Sequence, residues 1–177
     1  MKGEKNLLPG AIKDVQTTTA NWDRVGAVIA GVVLKRTRHI VTGNSLTTET
    51  YRSDWPETGA PIGHVIHVAM DEGRISAWHT HGIQTDGIFL LAGRMLLVLY
   101  DARPGSPSHG AVMSLRLDGS DPLLVRIPPM VWHGVKPLRG AASFLNIISH
   151  PYNYADPDEW RLPPNSDQIP FDIVHAG

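Results

Sequence analysis

A chain of 177 residues, 42% hydrophobic and 19% charged, is long enough to bury a sizeable core. Its formal net charge of -1, with acids and bases interspersed, gives no basic face for a nucleic acid or an anionic membrane surface. The absence of cysteine removes disulfides, thiolate metal sites and cysteine nucleophiles. No apolar run is long enough to span a bilayer or serve as a signal-peptide core, so a cytoplasmic location is expected.

Residues 1–24 show little periodicity and a polar patch at Gln16–Asn21, and read as an N-terminal lead segment. Residues 25–177 read as a single domain. The glycine-containing run Val25–Val33 is a strand candidate. Further short β-type segments follow: Val32–Arg38, Ser45–Tyr51, His64–Met70, Arg74–His81, Gly87–Leu91, Met95–Tyr100, Ala111–Leu117, Leu123–Ile127 and Ala142–Ile148. Turn residues separate them, among them Asp71-Glu72-Gly73, Gly93-Arg94 and Arg139-Gly140. Helical signals are confined to the neighbourhood of Asn21 and to Pro157–Trp160. Many short strands at regular spacing predict an all-β sandwich, jelly roll or barrel. The proline-rich, aromatic tail from Tyr152 is expected to wrap that body, or a neighbour, rather than add to its core.

The chemistry concentrates between Gly73 and Gly93, GRISAWHTHGIQTDGIFLLAG. Strand alternation puts His79 and His81 on one face with Ile75 and Ala77, roughly 6–7 Å apart at Cα. Two imidazoles on an apolar face are costly unless they meet a metal, a ligand or each other. A second stretch, LLVRIPPMVWH, ends a strand at Pro128-Pro129 and places His133 just beyond it. His79, His81, Asp86 and His133 offer three nitrogens and a carboxylate, a set suited to Fe, Mn, Ni or Zn with positions left open for substrate. Trp78 reads as core or interface, Trp132 as core or pocket rim, and Phe144 as core. The remaining histidines (39, 64, 67, 109, 150 and 175) read as ordinary hydrogen-bonded residues. Arg36, Arg38, Arg52 and Arg74 are candidates for a diphosphate clamp, since a guanidinium fork matches phosphate. The acidic run Asp156–Glu159 reads as a solvated turn.

Gly73, His79, His81, Asp86 and Gly93 fall in the register of the first cupin motif, and Pro128 with His133 in that of the second. Met130 stands at the second motif's glycine. With its flanks included (LLVLYDAR, IPPMVWHGV and FLNIISHPYNYADPDEW) the chain resembles the dTDP-4-dehydrorhamnose 3,5-epimerase family over about Val32 to Ile173. That resemblance implies a cupin jelly-roll barrel (a double-stranded β-helix), a homodimer, no required metal, and proton transfer on a nucleotide-linked 4-keto sugar. It places the family's base on His79 and its second histidine on His133. Ser76 stands at its arginine, Asp86 at its lysine and Asn146 at its proton-returning tyrosine, with Asp172 near its base-orienting acid. These departures point away from 3,5-epimerisation itself. The H-x-H pair is also similar to that of nucleotide-sugar 3,4-ketoisomerases, which implies His79 and His81 as base and acid with His133 beside them. Gln84, Asp86, Asn146, Arg74, Arg52 and Trp132 are then the substrate-facing candidates. The alternatives are a metal-dependent cupin enzyme built on the same four-residue set, and a sugar-binding cupin without activity.

Overall fold

A computed structural model of the protein describes residues 7–13, 16, 18–21, 26, 28–56 and 61–177. Among these described residues lie ten strands: β1 (Val33–Arg36), β2 (His39–Val41), β3 (Leu46–Thr48), β4 (His64–Met70), β5 (Ser76–Thr80), β6 (Asp86–Asp101), β7 (Val112–Asp118), β8 (Leu123–Ile127), β9 (Val131–Ile148) and β10 (Trp160–Arg161). Among the described residues there is no helix, and hence none long and apolar enough to cross a membrane.

Two long antiparallel strands, β6 and β9, pair with each other along nearly their whole length. The first part of β6 also pairs with β8, which carries β1, while the end of β9 pairs with β4. The second part of β6 pairs with β7, and the start of β9 with β5, which carries β10. The pairing therefore forms two antiparallel layers joined where β6 and β9 bend, the arrangement of a jelly roll. β2 and β3 form a separate ribbon.

The bend corrects the sequence reading. Gly93-Arg94 and Arg139-Gly140, expected to separate strands as turns, lie inside β6 and β9. Register shifts between Leu90 and Met95 absorb the change of direction. Gly93 has φ +82°, and a Cβ there would sit 2.4 Å from the Ala141 carbonyl oxygen. Glycine at this position bends a continuous strand against its neighbour rather than ending it.

Other boundaries moved as well. The expected strand Val25–Val33 begins only at Val33; Val25 and Ala27 lie outside the described residues, and 28–32 are not strand. Pro157–Trp160 is not helical, because Trp160–Arg161 pairs with Thr80 and His79 instead. Residues 22–25, beside Asn21, are outside the described set, as are positions 1–6, 14, 15 and 17 of the lead segment.

Between the layers, alternate residues of β6, β8 and β9 interdigitate: Ile88, Leu90, Leu97, Leu99, Val125, Ile127, Val135 and Phe144 are all buried. The outer face of the second layer carries Trp78, Leu96 and Val98, and the C-terminal tail covers it with Ile169 and Ile173. The tail was expected to wrap without joining the core, yet Ile173 is 0% exposed. Main-chain hydrogen bonds in both directions between Trp78 and Leu162 fasten it. Lys136 Nζ adds bonds to the carbonyls of Val174 and Ala176 at 2.7 and 2.6 Å. Proline and aromatic content gave no strand or helix period, which hid this packing from the sequence.

Asp101, at the end of β6, is fully buried and accepts hydrogen bonds from Arg103, Ser106 and Ser108. Arg103 reaches on to the carbonyl of Ala30, next to buried Ile29. The bond from Arg103 outweighs burial and holds the Asp101 carboxyl well below the usual range. Asp101→Asn should therefore cost about 2–4 kcal/mol at neutral pH. A depressed native pKa stabilises above the unfolded value of about 4, so the gap between wild type and variant should shrink as pH falls below that, in urea titrations at several pH values. Ile173→Ala should cost about 2–5 kcal/mol if the tail is core; a loss near zero in thermal denaturation would show the tail to be a surface strap.

Candidate active site

The site lies between the layers, where β5 ends and β6 and β9 begin. Alternation sends Trp78 and Trp132 to the outer face, where both pack under the tail, and turns His79 and His133 inward. His79 and His133 are directly opposed across the β5–β9 pair, with ring centroids 4.0 Å apart. His81, just past β5, has its ring 5.8 Å from His79 and 5.6 Å from His133. Asp86, the first residue of β6, is 1% exposed and completes the group. One ligand-capable atom from each of the four lies within 4.8 Å of the others.

Hydrogen bonds fix the ring states. His81 Nδ1 donates to the Asp158 carbonyl at 2.5 Å and His133 Nδ1 to the Val131 carbonyl at 3.1 Å, since a carbonyl only accepts. Both rings then turn Nε2 toward the same oxygen, Asp86 Oδ2, at 3.3 and 3.2 Å. The other oxygen, Oδ1, accepts from Gln84 Nε2 at 2.6 Å. An Nε2 facing a carboxylate is satisfied when it carries a proton, or when a cation sits between the two. His79 Nδ1 is buried with no hydrogen-bond partner.

The three acid–base groups are driven apart. Burial, with the neighbouring His133, pushes His79 well below the ordinary histidine range. Burial also opposes charge on His81, but the hydrogen bond and charge of Asp86 outweigh it and raise that ring. Burial alone would raise Asp86; the bonds from His133 and His81 overcome it and hold the carboxylate far below its usual range. The site thus sets side by side an imidazole driven toward its neutral form and one driven toward its charged form, with ring centroids 5.8 Å apart.

A cavity of about 400 Å³ opens onto this group. Asn146, Ile148 and Gln84 line its inner part, and the tail supplies Tyr152, Asp158 and Trp160 at its mouth. Asn146 Oδ1 is buried without a partner. Among the described lining residues there is no lysine or arginine.

The structure therefore brings together His79, His81, Gln84, Asp86, His133 and Asn146. It does not bring Arg52, Arg74 or Trp132 to the cavity. Arg52 is paired with Asp54 and Glu49 beside the β2–β3 ribbon. Arg74 is exposed in the turn before β5, and Trp132 belongs to the outer cluster beneath the tail. Asp172 pairs with His175 rather than orienting His79, and Arg36 is held by both oxygens of Asp121. The sequence reading missed Asp158, Tyr152 and Trp160; the loop that Asp158 binds lies 74–76 positions earlier, a separation no local pattern bridges.

Fold and site together define a jelly-roll cupin whose buried imidazole cluster opens on a small-molecule cavity. No family model matches the chain. It is 34% identical over 117 residues to the probable low-salt glycan biosynthesis epimerase Agl13 of Haloferax volcanii, covering 65% of this chain and 75% of that one. It is 33% identical over 100 residues to the spore coat polysaccharide biosynthesis protein SpsL of Bacillus subtilis, covering 56% and 66%. Among solved structures, a dTDP sugar isomerase from Desulfovibrio desulfuricans G20 superposes with a TM-score of 0.78 at 26% identity, over 84% of this chain and 94% of that one. The chain belongs to the dTDP-sugar epimerase and isomerase family of cupins.

In metal-free protein, ring-proton NMR should show His79 titrating below the ordinary value of about 6.5 and His81 above it. Two unshifted, independent titrations would remove the acid–base pairing.

Proposed function

We propose that this protein catalyses proton transfer next to the carbonyl of a nucleotide-linked 4-keto sugar, with His79 as base and His81 as acid. The observation that carries the reading is that two imidazoles at the floor of one cavity meet opposite surroundings: His79 is buried with an unpartnered Nδ1, while His81 turns Nε2 to the Asp86 carboxylate. A carbonyl acidifies the adjacent C–H bond. Neutral His79 takes that proton, and the His81 imidazolium, stabilised by Asp86, gives its proton to the oxygen that gains charge. The enediol so formed then takes that proton back from His79 at the neighbouring carbon, on the same face, as its other hydroxyl returns a proton to His81 and becomes the new carbonyl. Asn146, standing where the family resemblance expects a tyrosine, has no proton to return from the opposite face. A one-face shift between adjacent carbons therefore fits better than 3,5-epimerisation.

The names of the relatives support the substrate class: one is a glycan biosynthesis epimerase, another a polysaccharide biosynthesis protein and the third a dTDP sugar isomerase. A cytoplasmic homodimer goes with this reading. Exposed Val65 and Ile66 on β4, whose one described partner is β9, offer a face for a second copy, and the lack of cysteine suits a reducing compartment.

A second reading is favoured by a specific observation. With both Nδ1 atoms engaged by carbonyls, the Nε2 atoms of His81 and His133 converge on Asp86 Oδ2, as metal-binding histidines oriented by backbone carbonyls do. His79, His81, Asp86 and His133 would hold a divalent Fe, Mn, Ni or Zn. Such an ion supplies Lewis-acid stabilisation of a developing enolate oxygen, a role the family resemblance gives to cations at the positions of Ser76 and Asp86.

Wild-type protein incubated with a dTDP-linked 4-keto sugar in D₂O should incorporate deuterium next to the carbonyl, and His79→Asn should lower that rate by roughly 10²–10⁴-fold. Binding of the sugar without exchange would leave a non-catalytic sugar-binding protein. Inductively coupled plasma analysis of protein purified without a nickel column decides the second reading: stoichiometric metal supports it and its absence removes it.

A further inference from the structure

We infer that Asp158, carried by the C-terminal tail, is the positioning residue of this site. Its carboxylate takes three consecutive backbone N–H groups, from Gly82 at 2.7 Å and from Ile83 and Gln84 at 2.9 Å each. Those residues form the link between β5 and β6, with His81 at one end and Asp86 at the other. Three parallel N–H groups left unpaired in a part-buried loop would be costly, and one carboxylate meets all three. The main-chain carbonyl of the same residue accepts from His81 Nδ1. Gln84, seated by the second oxygen, donates in turn to Asp86.

One tail residue therefore sets both the ring state of His81 and the position of the amide that orients Asp86. The close fit explains the glycine at position 82: a Cβ there would lie 2.9 Å from Asp158 Oδ1 and 3.2 Å from the Trp160 ring. The tail is held for this task by the β10–β5 pairing, which sets Trp160 and Arg161 opposite Thr80 and His79. Asp158 acts through His81 and Gln84, so its effect belongs to the geometry of the acid rather than to binding of substrate.

The inference rests on His81 being the acid, and its test separates the two. In the full chain, long-range proton–nitrogen NMR should show His81 protonated at Nδ1 in the wild type. In Asp158→Ala that preference should be lost, although the backbone carbonyl at 158 remains. The rate constant kcat for deuterium exchange should fall roughly 10–100-fold with KM little changed. Asp158→Asn, which keeps one acceptor oxygen, should fall between. Retention of the Nδ1–H state in folded Asp158→Ala, or an unchanged kcat, overturns the inference. If Asp158→Ala does not fold, Asp158→Asn and Gly82→Ala carry the same readouts. If the wild type exchanges no deuterium, the proposed reaction fails while the ring-state measurement still decides the role of Asp158.

Discussion

The site depends on one buried carboxylate. Asp86 is almost wholly removed from water, and a lone charge so placed would cost several kcal/mol. It persists because Gln84, His81 and His133 all direct polar atoms at it. The cost of burying that charge is offset by the amide and the two ring nitrogens turned toward it. His79, which gains no such bond, is driven toward its neutral form by burial and by the neighbouring His133. The opposite shifts of His79 and His81 thus follow from which of the two reaches the carboxylate.

The fold serves this arrangement through its two long strands. Because β6 and β9 run through both layers, Asp86 at the start of β6 and His133 in the third position of β9 come to one end of the roll and face inward. The dry interior of Ile88, Leu97, Leu99, Val125 and Ile127 lies behind them, lowering the local dielectric and sharpening each charge interaction. The tail then closes the same end from outside. It is anchored by Ile169 and Ile173 and carries Asp158 to the loop between the two site strands. Core packing and site geometry therefore share one segment.

The first cupin motif was legible because its spacing is a local property. Strand alternation puts His79 and His81 on one face, and the second motif supplies His133 from a strand whose start is marked by two prolines. The all-β class was equally plain from period-two segments and turn residues. Turn residues misled where they serve a bend: Gly93 and Gly140 look like hairpin signals, yet each lies inside a strand that continues past it.

The sequence by itself determined which side chains form the buried cluster: three imidazoles and one carboxylate at family spacing, on or beside the strands of a jelly roll. Tertiary structure decided how they act. Which ring nitrogen bears a proton, which ring touches Asp86, and which arginines stay away from the cavity depend on contacts between distant segments, including carbonyls at 131 and 158. A pKa is set by burial and by neighbours within a few ångströms, and spacing along the chain records neither.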